Sequence, residues 1–209
     1  MSESNENDYV NRSREYFDTI ASEYDDSHDG KFVKCMYKEI LMRVKKIGVE
    51  NVLDLGCGNG NVSGIIAEET EAHVTGLDLS QQMIEQAKKR VGAKAQFIVG
   101  NAEKLPFADH TFDMIICNAS FHHYPHPVTV VKEMKRVLKQ NGTLILGDPT
   151  VPVKLFLKLM NWILSFSDNG DFHIYGKKEI VALLRSQGLQ VSDWKMIGAE
   201  RFILNARNV

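Results

Sequence analysis

The rhythm of hydrophobic and polar positions changes once along the chain, near residue 50. Before that point Phe17, Ile20, Ala21 and Tyr24 recur at i, i+3, i+4 and i+7, and Phe32, Met36, Ile40, Val44 and Ile47 follow at helical spacing. These patterns predict two amphipathic helices, each with one buried face. After it, short runs over 51–55, 73–77, 95–99, 114–117 and 143–146, rich in Val, Ile and Leu, read as buried strands. Helical patterns over 62–69, 81–91 and 128–139 lie between them, with Ser80 placed to cap the second. Strand and helix in alternation predict a parallel sheet covered on both faces. A further helix over 177–187 stops at Gly188, a C′ glycine. Two strand-like runs, 189–197 and 201–206, joined by Gly198, Ala199 and Glu200, then predict a closing antiparallel hairpin.

Composition narrows the class. A chain of 209 residues, 44% hydrophobic and 25% charged, has the globular average and predicts one domain rather than a disordered, collagenous or low-complexity chain. With 25 Lys and Arg against 27 Asp and Glu there is no basic field, so nucleic acid is not an expected partner. Cys35, Cys57 and Cys117 are odd in number and far apart, which favours a reducing, cytoplasmic setting over a disulfide frame or zinc ribbon. No apolar N-terminal run reads as a secretory signal. The most apolar stretch, 151–166, is interrupted by Lys154, Lys158 and Asn161 and is too short for stable membrane insertion. All five prolines fall between 106 and 152, where long functional loops are expected.

The sharpest chemical signal is VLDLGCGNG over 52–60, a strand running through a glycine turn into a helix. Glycines let the backbone approach a ligand there, and a helix start offers free N–H groups. A dinucleotide fingerprint needs G-x-G-x-x-G, but the spacing from Gly56 is G-x-G-x-G, with Asn61 at the critical position. Asp54, two residues before Gly56, suits a cation better than a pyrophosphate, which points to a positively charged small ligand. Asp78 ends the second run and can accept from both hydroxyls of a ribose. Asn101 and the backbone of Ala102, after the third run, can read an adenine edge. Asn118 ends the fourth, so four consecutive strands deliver polar groups to one rim, where open α/β sheets bind ligands.

In that order the segments LDLGCGNG (53–60), GLDLS (76–80), GNAEKLPF (100–107), FDMIICNASFHH (112–123) and EMKRVLKQNGTLIL (133–146) resemble the class I S-adenosylmethionine-dependent methyltransferases. The resemblance is strongest to the methyltransferase type 11 group that includes the UbiE/COQ5-like enzymes. The upstream Phe17-Asp18-x-Ile20-Ala21-x-x-Tyr24-Asp25 is similar to that group's N-terminal motif. The resemblance implies a Rossmann-like, doubly wound, seven-stranded, mostly parallel sheet with a C-terminal antiparallel hairpin and helices on both faces. It divides the chain into an N-terminal helical cap (1–50), a cofactor-binding core (51–149), an insertion or lid (150–176) and a C-terminal helix and hairpin (177–209).

The cofactor it implies is S-adenosyl-L-methionine, with S-adenosyl-L-homocysteine as product. Asp54, Gly56 and Gly58 would surround its methionyl part, Asp78 its ribose, and Leu79 and Met83 the adenine face. Asn101 and Ala102 would meet the adenine edge, Asn118 the sulfonium side, and Tyr24 would close over the amino-acid end. Cys57, Gly60 and Glu103 complete the implied contact set. One departure from the family pattern is Asn101, where Asp is usual; its amide oxygen still accepts a hydrogen bond.

Methyl transfer from a sulfonium needs placement first, and a general base only where the acceptor must lose a proton. His122 and His123 are the candidate bases, with His126, Asp148, His173 and Tyr175 on later loops. His123-x-x-His126 lacks a Glu or Cys at ligand spacing, and Asp25-x-Ser27-x-Asp29-Gly30 has Met36 where a calcium loop needs Glu, so no metal is expected. The expected acceptor is a small molecule, apolar or quinone-like. The alternatives are a non-catalytic S-adenosylmethionine-binding module and a nicotinamide oxidoreductase. The apolar stretch 153–166 is compatible with an acceptor pocket, a membrane surface or a homodimer contact.

Overall fold

The computed structural model describes residues 3–151, 153–164 and 170–209. Its centre is one seven-stranded sheet in the order β3-β2-β1-β4-β5-β7-β6. The strands are β1 (Asn51–Leu55), β2 (His73–Asp78), β3 (Ala95–Val99), β4 (Phe112–Asn118), β5 (Leu138–Pro149), β6 (Leu189–Ile197) and β7 (Arg201–Asn208). The first five pair in parallel, while β7 is antiparallel to both β5 and β6, which is the expected closing hairpin.

Period-two alternation explains why these runs become a two-faced sheet. Val52, Met114, Ile116, Ile145 and Ile203 face one core, packed under α3 (Tyr37–Ile47) and α4 (Asn61–Glu69). Leu53, Leu55, Ile115, Cys117, Leu144, Leu146 and Leu204 face the other, under α6 (Pro127–Val137) and α8 (Lys177–Ser186). Burial on both faces selects continuous apolar strands rather than alternating ones. Helix α5 (Gln81–Val91) is opened by Ser80, whose Oγ accepts from the Met83 N–H at 3.0 Å.

Three expected boundaries move. The pattern over 128–139 ends as a helix at Val137, because Leu138 opens β5 opposite Phe112. The first N-terminal helix, α1 (Glu3–Ile20), stops before Ala21 and Tyr24; Tyr24–Asp26 forms a separate 3₁₀ turn. The second pattern is divided into α2 (His28–Val33), a 3₁₀ turn at Lys34–Met36, and α3. The break before α2 has a cause in its own cap, where Ser27 Oγ accepts from the Gly30 N–H at 3.0 Å and starts a new helix.

After β5, α7 (Lys154–Leu164) rests on the chain through Asn161, which exchanges two hydrogen bonds with the backbone of Ile174 at 2.8 and 3.0 Å. Ser165 and Phe166, the end of the expected 153–166 pattern, lie outside the described residues, as does Pro152. No helix among the described residues is long and apolar enough to cross a membrane.

Candidate functional site

The strand order reverses between β1 and β4, and a cavity of about 1000 Å³, counting its open mouth, lies at the carboxyl ends of the strands there. It is bordered by Asp54, Gly56, Cys57, Gly58, Asp78, Leu79, Met83, Asn101, Ala102, Glu103, Asn118, Tyr24 and His123. Two of the residues singled out from sequence stand elsewhere. Gly60 does not border the cavity; it caps α4 and packs against Ala87 and Phe97. His122 lies behind His123, hydrogen-bonded to Asp148.

The glycine loop is shaped by close approach. Gly56 has φ +71, and a Cβ there would come within 2.0 Å of Ser120 Oγ, so only glycine lets this loop lie against the end of β4. Gly58, at φ +51, would point a Cβ into open space; its N–H donates to Asp78 Oδ2 at 2.8 Å, and Ser80 N–H donates to Asp78 Oδ1 at 2.9 Å. Backbone donors therefore fix the Asp78 carboxylate while further lone pairs remain for a diol.

Asp54 is buried, and its Oδ2 accepts from Ser63 Oγ at 2.6 Å. Among the described residues no Lys or Arg pairs with it. Burial, opposed by the Ser63 hydrogen bond and reinforced by the charge on Asp78, pushes its carboxyl up to about 6. A buried carboxyl without a cation, beside the buried and unpartnered Asn118 Oδ1, suits a ligand that brings its own positive charge. On this test the donor set fits a sulfonium and ammonium group together with a ribose. Asn101 Oδ1 accepts from the Glu103 N–H at 2.9 Å, holding the loop as an aspartate would, and Glu103 Oε1 meets His126 Nδ1 at 2.9 Å.

The opposite wall comes from the N-terminal helices: Val10, Ser13, Arg14 and Phe17 on one face of α1, with Val33 and Tyr37. Two aspartates bind this wall to the cofactor side. Asp18 Oδ1 accepts from Ser80 Oγ at 2.5 Å and from the Gln82 N–H at 3.2 Å. Asp25 accepts from Asn59 Nδ2 at 2.9 Å, Asn61 Nδ2 at 2.7 Å and Arg90 at 2.5 Å. Burial acts against ionised Asp25, but these three partners hold its carboxyl down at about 2. The clasp escaped the sequence reading, which had treated Asn61 only as a break in a dinucleotide motif.

The paired histidines occupy opposite electrostatic environments. His122 Nδ1 lies 2.9 Å from Asp148 Oδ1 and its Nε2 lies 3.5 Å from Asp171 Oδ1. Burial opposes its protonation, but Asp148 and then Asp171 outweigh burial and raise its pKa. His123 is pushed down to about 4 by burial and by its neighbour His122. Its Nδ1 lies 3.2 Å from the Gly170 carbonyl, which can only accept, so the proton sits on Nδ1 and Nε2 carries the lone pair. Phe17 packs edge-on against its ring, with centroids 5.1 Å apart. His122, His123 and Asp171 bring ligand-capable atoms within 4.8 Å of one another, and the ion pairs among them account for that clustering. Of the later loops, Asp148 joins this group, His173 pairs with Glu179 at 2.8 Å, and Tyr175 is buried in the core.

A doubly wound sheet whose switch-point cleft offers a cation-seeking carboxyl, a diol-seeking carboxyl and an aromatic cover has the features of a class I S-adenosylmethionine-dependent methyltransferase. Comparison with known proteins makes the assignment specific. Residues 53–146 match the family model described as a methyltransferase domain. Over 204 residues the chain is 32% identical to the demethylmenaquinone methyltransferase of Thermotoga maritima, covering 84% of this chain and 87% of that protein. The enzyme of the same name from Listeria welshimeri is 40% identical over 118 residues, 54% of this chain and 49% of that protein. Among solved structures, a SAM-dependent methyltransferase from Aquifex aeolicus superposes with TM-score 0.71 at 21% identity, covering 92% of this chain and 98% of its own. The chain belongs to the class I S-adenosylmethionine-dependent methyltransferases of the type 11, UbiE-like group, and is a methyltransferase enzyme. The module and oxidoreductase alternatives are not favoured.

Proposed function

We propose that the chain methylates a ring carbon of an apolar, reduced quinone-like acceptor, with S-adenosylmethionine held at the strand ends and His123 as base. The observation that carries this reading is a largely enclosed histidine, its Nδ1 against the Gly170 carbonyl, on a cavity whose other wall is aromatic and aliphatic. The 32% identity to a demethylmenaquinone methyltransferase over most of both chains supports the acceptor class.

S-adenosylmethionine supplies a methyl group on an already activated sulfonium leaving group. Asp54 offsets the cofactor's positive charge, Asp78 accepts from its ribose hydroxyls, and Asn101, Ala102, Leu79 and Met83 hold the adenine. Cys57, Gly56 and Gly58 give the close backbone, Asn118 lies toward the sulfonium, and Tyr24 closes the amino-acid end. His123 Nε2 takes the hydroxyl proton of the acceptor, placing electron density on the ring carbon that forms the new C–CH₃ bond as the C–S bond breaks. The ring proton of the resulting dienone would then leave to solvent while His123 returns its proton to the ring oxygen, which restores the aromatic diol and the free base. His122, whose protonation Asp148 and Asp171 favour, disfavours charge on its neighbour, so His123 keeps a free lone pair at the cost of a lower proton affinity. Holding the reactants in line is worth about 7–11 kcal/mol of the barrier, so packing against Phe17 and Tyr24 contributes to catalysis as directly as the base does.

The test is incubation with methyl-labelled S-adenosylmethionine and a reduced naphthoquinone carrying an apolar tail. Equal amounts of ring-labelled product and S-adenosylhomocysteine are expected. Label on an oxygen of the acceptor, or none on a reduced quinone while another acceptor turns over, overturns the acceptor assignment.

A further inference from the structure

Helix α7 inverts the usual rule of burial. Leu155, Phe156, Leu159, Met160, Trp162 and Ile163 all face outward, with Leu155 75%, Trp162 62% and Phe156 59% exposed. Among its described side chains, Leu157, Asn161 and Leu164 are turned toward the rest of the chain, at i, i+4 and i+7. None of the exposed apolar residues of the helix is among the described residues that border the cavity, so this outward face is not a wall of the acceptor pocket. It does stand beside that wall. Asn161 grips Ile174, and the Phe172 and His173 N–H groups both donate to the His122 carbonyl at 2.9 Å.

We propose that this face lies in the headgroup layer of an anionic lipid surface and sets the cavity mouth where an apolar acceptor is dissolved. At 3.6 residues per turn the outward side chains form an apolar arc of about half the helix circumference. Lys158 falls at one edge of that arc, beside Trp162. The helix's charged residues, Lys154 and Lys158, are both positive and four positions apart, and it contains no acid. A broad apolar face with aromatic residues and a lysine at its edge fits a helix lying in an interface rather than spanning it.

Size separates this occupant from a second copy of the chain. A helix about 16 Å long and about 10 Å wide is a small footprint beside the roughly 800 Å² per partner that stable protein interfaces bury. A lipid surface has no such minimum, and anionic headgroups match Lys158 at the edge of the arc in charge.

The idea rests on the apolar acceptor proposed above, and its test is chosen to fail separately. The purified full chain is sedimented with vesicles of phosphatidylcholine mixed with phosphatidylglycerol, and with vesicles of phosphatidylcholine alone. Binding to the anionic vesicles is expected, weaker with neutral ones. The pair Phe156→Asp with Ile163→Asp is expected to lower it by about tenfold or more, and Lys158→Glu to weaken only the anionic case. S-adenosylhomocysteine affinity should stay unchanged in all variants, which establishes that they fold. The proposal is overturned if the wild-type chain stays in the supernatant, or if the double variant binds vesicles as well as wild type. It is equally overturned if that variant only converts a dimer to a monomer. Methylation of a detergent-dissolved reduced quinone without vesicle binding removes this inference alone; vesicle binding without such methylation removes only the acceptor reading.

Discussion

The two walls of the cavity are built in different ways. On the cofactor wall the polar groups stand at strand ends or in the turns that follow, and backbone donors fix two of them: Gly58 and Ser80 N–H on Asp78, Glu103 N–H on Asn101. On the acceptor wall the groups meet mainly through long-range side-chain contacts: Asp25 on Asn59, Asn61 and Arg90, Asp18 on Ser80, and His122 on Asp148 and Asp171. A wall made of backbone is stiff and suits one unvarying ligand. A wall made of side chains can be changed without unfolding the sheet, which is where acceptor choice belongs.

The sharpest way to break this division is to alter one residue on each wall and compare binding with turnover. His123→Ala is expected to lower turnover by about 10²–10⁴-fold, the usual worth of a general base, while calorimetry shows S-adenosylhomocysteine bound as before. His122→Ala should lower turnover less, because it acts through its neighbour. Asp78→Ala is the converse: affinity for S-adenosylhomocysteine weakens by roughly 1–3 kcal/mol as charge-assisted hydrogen bonds to the ribose are lost, and turnover at saturating cofactor changes little.

A pH titration sharpens the cofactor wall further. Asp54 has its carboxyl at about 6 in the free protein, and a cationic ligand favours the ionised form and lowers that value. Affinity for S-adenosylmethionine should therefore be full above pH 6 and fall by about tenfold per unit as pH drops below it. The release of protons on binding near pH 6, measured in two buffers, reads the same event, and Asp54→Asn should abolish it. The smallest effect is expected at the clasp. Asp25 and Arg90 are each nearly half exposed, so Asp25→Ala should cost about 1 kcal/mol or less. It should show as faster release of S-adenosylhomocysteine and earlier proteolysis near residues 20–30.

The same contrast decides how much was legible in the sequence. The sheet was, because period and burial are local: 81–91 and 189–197 fall where Gln81–Val91 and Leu189–Ile197 stand. So was the polar rim of the cavity, since Asp54, Asp78 and Asn118 lie at or next to the ends of β1, β2 and β4 and reach one edge by topology alone. The role of Asp25 was not, because its partners lie 34 to 65 positions away and no local pattern announces them. Nor could the two histidines be told apart: one position separates them, yet only His123 borders the cavity, a difference set by Asp148 and Gly170. The 153–166 pattern predicted a helix correctly as far as Leu164, but periodicity cannot say which face of an apolar helix is covered, and here the larger face is open.

The most direct test of this account is the paired measurement on Asp78→Ala and His123→Ala: S-adenosylhomocysteine affinity by calorimetry and methyl transfer to a reduced naphthoquinone at saturating S-adenosylmethionine. The account predicts that Asp78→Ala loses affinity and keeps turnover, while His123→Ala keeps affinity and loses turnover. Lost affinity in His123→Ala, or full turnover by it, would contradict the division between a cofactor wall and an acceptor wall.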